Sequence, residues 1–318
     1  MAHAFDPELA AALALWAPVD IADLAAARAA QAAELAAAHG RADSTGVKVE
    51  DLLVPGPPGA PEVLLRTYRP VDRPGPLPVL YTVHGGGFVL GSPEVDHEEN
   101  LSFCRELQAL VVSVDYRLAP EHPYPAALDD CWAGLRELVG RAAELDADPG
   151  RLALRGDSAG GGLVAALAML ARDGGGPAVR LQQLHSPALD DRLATPSAVE
   201  YTDTPVWNRR NAELSWAAYL GPGRPGDRRA APDRFAAPAR AARADLVGLP
   251  PAHVTVMQFD PLRDEGIDYA RALLAAGVPT ELHLLPGTFH GAGMVAHAGV
   301  VRRARAEAVA VLRRALGR

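Results

Sequence analysis

One short stretch limits what this chain can fold into more than any other: Arg151 to Gly162, Arg-Leu-Ala-Leu-Arg-Gly-Asp-Ser-Ala-Gly-Gly-Gly. Its first four residues have the partly apolar alternation of a short strand, and the run from Leu163 to Ala171 consists of helix formers. Between them, Gly156-Asp157-Ser158-Ala159-Gly160 must turn the chain sharply. A serine at the tip of such a strand-turn-helix corner has strained backbone angles and close neighbours. Glycines two positions before and after it leave space where a Cβ would not fit. The stretch therefore predicts a nucleophile elbow. The same residues also suit a tightly packed glycine turn or a phosphate cradle, so an oxyanion site, an acid and a histidine elsewhere must decide between these readings.

The order of elements around the elbow sets the fold class. Residues 1 to 40 predict two amphipathic helices broken near Pro18, with Leu9, Leu13, Trp16, Ile21, Leu24 and Leu35 at helical spacing. Val47 to Val54 and Glu62 to Tyr68 predict an antiparallel strand pair joined by Pro-Gly-Pro-Pro-Gly. Strands and helices then alternate: a strand at Leu77 to Val83, a helix at Glu94 to Leu107, a strand at Ala109 to Asp115 and a helix at Pro125 to Leu145. After the elbow come strands at Val179 to His185, Ala252 to Phe259 and Thr280 to Leu285, with helices at Ile267 to Ala276 and Val300 to Leu316. This pattern predicts an α/β fold with a mostly parallel sheet covered by helices on both faces, whose function sits at the carboxyl ends of the strands. Residues 190 to 248 break the rhythm with polar, Pro- and Arg-rich sequence around a helix near Asn208 to Tyr219. They are expected to lie over the strand ends, with the N-terminal helices joining them as a lid.

Composition removes several classes of function. A formal net charge of −8, without a basic run, argues against nucleic acid as a partner. No apolar run is long enough to span a bilayer, and the N-terminal residues lack the pattern of a secretory signal, so no membrane association and a cytoplasmic location are expected. Cys104 and Cys131 lack the paired spacing of a zinc or redox motif and are expected to be buried free thiols. His97, in Asp-His-Glu-Glu, superficially resembles part of a metal motif, but H-E-x-x-H would require histidine where Leu101 stands. No metal and no cofactor are expected.

His84-Gly85-Gly86-Gly87-Phe88 follows directly on a predicted strand and so shares the active edge with Ser158. Successive glycines let backbone N–H groups approach a ligand oxygen unobstructed, as an oxyanion hole requires. Gly85, Gly86 and Ala159 are the expected donors. No Walker lysine and no G-x-G-x-x-G spacing support a nucleotide loop. Asp260 ends an apolar strand, where its carboxylate projects into the same edge, and it is the favoured acid. Asp264 has the plainer reading of a helix N-cap, helped by Glu265 in the first turn. Of the downstream histidines, His283 lies within a strand and His297 lacks a turn to present it. His290, between Gly287 and Gly291, lies in the loop beyond the last strand, where a general base must be. His84 is expected to brace the glycine loop.

These motifs together resemble the bacterial hormone-sensitive-lipase-like carboxylesterases of the α/β-hydrolase superfamily: His84-Gly85-Gly86-Gly87, Tyr116-Arg117-Leu118-Ala119-Pro120-Glu121, Gly156-Asp157-Ser158-Ala159-Gly160, Asp260-Pro261-Leu262-Arg263-Asp264-Glu265 and His290-Gly291. The resemblance runs from about residue 47 to the C-terminus. It implies an eight-stranded sheet, a helical cap, and hydrolysis of small acyl esters by Ser158, Asp260 and His290, in the chain order such hydrolases use. The expected organisation is cap helices at 1–45, a catalytic domain at 46–189 and 249–318, and a cap insertion at 190–248. Phe88, Val206 and Trp207 are the expected substrate contacts, with Leu9, Leu13 and Trp16 as further pocket or lid contacts or plain cap packing, and short to medium acyl chains suit a closed pocket. The resemblance also implies a possible homodimer through the sheet edge near the last strand. Two positions depart from the family pattern: Ala292 replaces the aromatic after His-Gly, and Ser186-Pro187 stands where many members have Tyr-Pro. A ligand-binding protein on the same scaffold and an amidase with the same machinery are the alternative readings.

Overall fold

The computed structural model describes residues 3–16, 19–39, 42–222 and 233–317. The break expected near Pro18 and the Arg- and Pro-rich residues 223–232 lie outside the described residues. The strands are β1 (Val47–Val54), β2 (Val63–Pro70), β3 (Leu77–Val83), β4 (Leu110–Asp115), β5 (Ala147–Asp157), β6 (Val179–His185), β7 (Ala252–Phe259) and β8 (Thr280–Phe289). They form one eight-stranded sheet in the order β1-β2-β4-β3-β5-β6-β7-β8. β2 runs antiparallel to both β1 and β4, and every later pairing is parallel.

The helices are α1 (Pro7–Leu13), α2 (Leu24–His39), α3 (His97–Leu107), α4 (Ala126–Gly140), α5 (Ala159–Asp173), α6 (Pro196–Glu200), α7 (Arg209–Leu220), α8 (Arg243–Leu246), α9 (Arg263–Ala275) and α10 (Gly299–Ala315). α3 and α10 cover one face of the sheet, where Leu80, Val111, Ala153 and Leu181 pack with Phe103, Leu107 and Leu312. α4, α5 and α9 cover the other, where Val79, Tyr81, Val112, Leu154 and Val254 pack with Leu135, Leu167 and Leu273. Alternate residues of one strand enter opposite cores, and β3 is buried along its whole length. That is why the central strands are continuous apolar runs. Each fully buried Leu or Val contributes on the order of 1.5–3 kcal/mol, and the central strand whose end carries the glycine loop is therefore held from both sides.

Several boundaries differ from the sequence expectation; α9, for one, starts at Arg263 instead of Ile267. α4 ends at Gly140 instead of Leu145, with the Arg141 amide closing back onto the Glu137 carbonyl at 2.9 Å. β8 continues past Leu285 to Phe289: a register irregularity after Met257 lets Phe259 pair with Phe289 beyond Pro286-Gly287. A proline is tolerated there because β8 is an edge strand. His290 therefore follows immediately on a paired strand residue.

The N-terminal helices are not disposed as a simple lid. Leu9 is fully buried with Phe289, Ala292, Val295 and Val300, and Leu13 and Trp16 pack against the same group. The Asp6 amide donates to the Gly287 carbonyl at 2.9 Å, and the Gly299 amide donates to the Glu8 carboxylate at 2.6 Å. α1 thus braces the segment that carries His290. α2 reaches the glycine loop instead, where Arg28 donates to the Val89 and Ala119 carbonyls, both at 2.9 Å, and pairs with Glu121. The chain ahead of α2 meets the insertion at Asn211 of α7, whose side chain donates to the Val19 carbonyl at 2.9 Å.

Candidate active site

The elbow is forced by sterics at its two outer glycines. A Cβ at Gly156 would lie 2.2 Å from the Gly160 carbonyl oxygen, and one at Gly160 would lie 2.0 Å from the Val83 carbonyl oxygen. No side chain fits at such separations, so both positions must be glycine for the turn to close. Between them Ser158 has φ 53 and ψ −118, a left-handed φ that costs a non-glycine residue of order 1–3 kcal/mol. That strain is held by its neighbours. The Ser158 amide donates to the His185 carbonyl at 2.9 Å, and the Ser158 carbonyl accepts from Ala188 at 2.9 Å and Gly162 at 3.2 Å.

Three side chains from three strand ends form one line. The Ser158 hydroxyl lies 2.9 Å from His290 Nε2, and His290 Nδ1 lies 2.8 Å from Asp260 Oδ2. The other carboxylate oxygen, Oδ1, accepts the Leu262 amide at 2.8 Å, which fixes the carboxylate plane. With Nδ1–H donating to the carboxylate, Nε2 is left with a free lone pair facing the Ser158 hydroxyl. Ser158 and His290 are each only 6% exposed and Asp260 is 1% exposed, so the line is shielded from bulk water. Burial alone disfavours the imidazolium, but the charge and hydrogen bond of Asp260, with the charge of Asp157 behind them, outweigh it and raise the His290 pKa above its ordinary value.

The glycine loop approaches the elbow closely: a Cβ on Gly85 would be 3.2 Å from the Asp157 carbonyl oxygen and 3.4 Å from Ser158 Cβ. The Gly86 carbonyl accepts both the Val89 and Leu90 amides, at 3.1 and 2.8 Å, which curls the loop back on itself. Ala159 is the first residue of α5, so its N–H belongs to the unsatisfied first turn of a helix. His84 braces this loop. Its ring stacks on Tyr116 at 4.2 Å, Nδ1 donates to the Gly85 carbonyl at 2.8 Å, and its own carbonyl accepts the Tyr116 hydroxyl at 2.9 Å. Burial pushes the His84 pKa down to about 4, which keeps the ring neutral.

The expected substrate contacts divide. Trp207 and Val206 come to the His290 side of the centre: the Trp207 ring lies 6.0 Å from the His290 ring, a Cβ on Gly87 would strike Trp207 at 2.4 Å, and Val206 packs against Gly291. Phe88 instead stacks on Tyr219 of α7 at 3.9 Å and lies beside Trp216, 2% exposed, in the packing beneath the insertion. Ala292 is fully buried with Leu9 and Phe289 under α1.

Asp264 is not the N-cap of α9. That position is Leu262, and the Asp264 carboxylate instead accepts the Ser197 amide at 2.8 Å, tying α6 of the insertion to α9. Glu265 does stand in the first turn of α9, but turned inward. It is 1% exposed and accepts the Leu189 amide at 2.6 Å and the Asp190 amide at 3.2 Å, holding the chain where it leaves the elbow for the insertion. Their spacing from Asp260 was visible in the sequence, but their partners lie some 70 residues away along the chain, at separations of 67 and 76.

Sequence reasoning missed Asp157 and His185. Asp157 Oδ2 lies 2.7 Å from His185 Nδ1 at the end of β6. Burial pushes the Asp157 carboxyl up, but the His185 charge and hydrogen bond and the Arg155 charge prevail and hold it below the usual range, so it is an anion whose charge reaches His290. Its place beside Ser158 in the motif was the available signal. The expected roles of the remaining histidines meet mixed surroundings: His97 is buried with Nδ1 3.0 Å from the Tyr68 hydroxyl, and His283 is half-exposed on β8.

Known proteins resemble the chain in sequence and in structure. Residues 80–294 match a family described as alpha/beta hydrolase fold. The chain is 42% identical over 245 residues to carboxylesterase NlhH of Mycobacterium tuberculosis, covering 77% of this chain and 75% of that one. It is 41% identical over 261 residues to esterase LipI of the same species, covering 80% and 77%. Among solved structures, a bacterial heroin esterase superposes with a TM-score of 0.96 at 47% identity, over 98% of each chain. Esterase LipW of Mycobacterium marinum superposes at 0.89 and 39% identity, over 98% of this chain and 96% of that one.

Proposed function

The chain belongs to the hormone-sensitive-lipase-like carboxylesterase family of the α/β hydrolases, and from that premise we propose that it hydrolyses esters of short to medium acyl chains with Ser158, His290 and Asp260 as its catalytic triad. It is a carboxylic ester hydrolase of the serine type. The observation that carries the assignment of residues is the continuous hydrogen-bonded line from Ser158 Oγ through His290 to Asp260.

In this reading Ser158 Oγ attacks the ester carbonyl carbon as its proton passes to His290 Nε2, and Asp260 holds the imidazole orientation and stabilises its charged form. The tetrahedral oxyanion is held by the amides of Gly85, Gly86 and Ala159, and losing one such donor typically costs on the order of 10²–10³ in kcat. The imidazolium returns its proton to the departing alcohol oxygen. Water, deprotonated by the same histidine, then attacks the acyl carbon, and collapse of the second tetrahedral intermediate releases the acid and regenerates the Ser158 hydroxyl. No step calls on a metal or cofactor.

The substrate range rests on the walls around His290. Trp207 stands against Gly87 on one side and close to His290 on the other, while Val206 closes on Gly291, which leaves little room for a long acyl chain. Pairing of two copies along β8 belongs to the same proposal. That edge exposes Leu282 and Leu284 beside Leu274, and light scattering during gel filtration reads the state directly. Among the described residues no helix is long and apolar enough to cross a membrane. Residence in a reducing compartment such as the cytoplasm is supported by Cys104 and Cys131, both free and buried.

Rapid-mixing kinetics with p-nitrophenyl esters of increasing chain length test the proposal. A burst approaching one p-nitrophenol per chain, absent from Ser158→Ala, and kcat/KM falling beyond medium chain lengths are expected. Wild-type turnover by Ser158→Ala would overturn the assignment of the nucleophile, and a rate that rises steadily with chain length would overturn the substrate range.

A further inference from the structure

On the α10 side of the sheet, at its β8 edge, three metal-ligand side chains converge away from the ester site. His253 of β7 pairs in register with Glu281 of β8, and Thr255 pairs with His283, so the three side chains share one face. The rings of His253 and His283 lie 4.9 Å apart at 41°, and His283 Nε2 is 3.6 Å from Glu281 Oε2. One ligand atom from each residue lies within 4.8 Å of those of the other two. His253 is 2% exposed, yet among the described residues neither of its ring nitrogens has a hydrogen-bond partner. A buried imidazole with both nitrogens unsatisfied is costly and asks for an explanation.

We propose that His253, His283 and Glu281 form a binding site for a divalent transition-metal ion of the zinc class. Two imidazole nitrogens and one carboxylate oxygen suit such an ion, with water completing a four-coordinate shell. Mg²⁺ and Ca²⁺, which select all-oxygen shells, are not served by this set. Zinc holds nitrogen and oxygen ligands at about 2.0–2.2 Å, so tetrahedral neighbours stand about 3.3–3.5 Å apart. Rotation of half-exposed His283 and exposed Glu281 towards the fixed His253 ring closes the remaining distance. Arg314 of α10 holds the other oxygen of Glu281 at 2.9 Å, an outer partner that orients the carboxylate while leaving Oε2 towards His283.

His253 and Asp260 are seven positions apart along β7 and the turn after it, roughly 20 Å at strand spacing. The ion is therefore no participant in hydrolysis. It clips the edge strand β8, which ends in His290, to β7, which ends in Asp260.

The test uses the untagged, chelator-treated full chain, titrated with ZnCl₂ in a calorimeter and melted with and without the ion. The expected result is one zinc per chain and a melting temperature that rises with zinc, since an ion that binds only the folded state stabilises it. His283→Ala and Glu281→Gln should each weaken binding by at least the 10–100-fold typical of disturbing a metal site's outer partners and abolish the zinc-dependent rise in melting temperature. His297→Ala, at an exposed position outside the cluster, should change nothing. Both ligand variants alter positions that are not fully buried, and their metal-free melting temperatures and p-nitrophenyl acetate hydrolysis should match the wild type. No saturable one-to-one binding by the wild type would overturn the proposal, as would wild-type affinity in both ligand variants.

Discussion

The strand-end loops and the cap are built on opposite terms. At the strand ends, backbone meets backbone: Gly156 and Gly160 admit no side chain, Ser158 is held at a positive φ, and each side chain of the proposed triad extends from a paired strand or from the turn directly after one. The cap is assembled from short or alanine-rich helices held by single side chains, Arg28 to the chain after the glycine loop, Asp264 of α9 to Ser197, and Asn211 to Val19 between its two parts. In the proposed function the sheet edge sets the reaction and the cap sets what reaches it. Substitutions at the edge should therefore change rates by orders of magnitude, whereas those in the cap should change selectivity by small factors.

The largest expected effect breaks the triad twice. Ser158→Ala and His290→Ala should each lower kcat by about 10⁶, and the double variant should be no worse than either single one, because residues acting as a unit are not additive. Independent, additive losses in steady-state kinetics would show that the hydrogen-bonded line does not work as one device.

Gly160→Ala probes the frame around that line. Its Cβ would lie 2.0 Å from the Val83 carbonyl oxygen, with no flexible atom to give way. The cost should reach or exceed the upper end of the ~1–3 kcal/mol usual for overpacking, read as a lowered melting temperature together with lost activity. By contrast, Gly140→Ala, at the open end of α4 where an added Cβ meets nothing within 4 Å, should be tolerated.

Trp207→Ala moves the comparison to the cap. Removing the ring between Gly87 and His290 should raise kcat/KM for longer acyl esters relative to acetate by about tenfold, the low end of what a methylene-sized change in an apolar pocket provides. An unchanged chain-length profile would remove Trp207 from the pocket wall.

The smallest effect is electrostatic. The proposed mechanism needs His290 neutral, and its pKa is raised, so kcat/KM should fall as pH drops through a midpoint above the ordinary imidazole value of about 6.5. Asp157→Asn removes one of the charges that raise it and should move that midpoint to lower pH in a pH-rate profile. A shift to higher pH would contradict the role given to Asp157.

The same contrast explains what could be read from the chain. Ser158, the glycines around it, Asp260 and His290 were legible because each sits at a local boundary between strand and turn, where residue type and spacing carry the geometry. The eight-stranded sheet was legible because alternation and apolar runs follow from burial on one face or two. What stayed hidden depends on contacts across long separations. α1 was expected to cover a pocket, and instead it packs under the His290 segment through Leu9. Asp264 and Glu265 looked like ordinary helix-start residues until their partners in the insertion were seen. The β8 extension to Phe289 was concealed by Pro286-Gly287, which in isolation signals a turn.

The most direct test of the account is mass spectrometry of the intact and digested chain after reaction with an aryl phosphonate. The account predicts one adduct per chain, mapped to Ser158, formed more slowly as pH falls through the His290 midpoint and absent from Ser158→Ala. An adduct on another residue, or an unlabelled chain that still hydrolyses p-nitrophenyl esters, would contradict it.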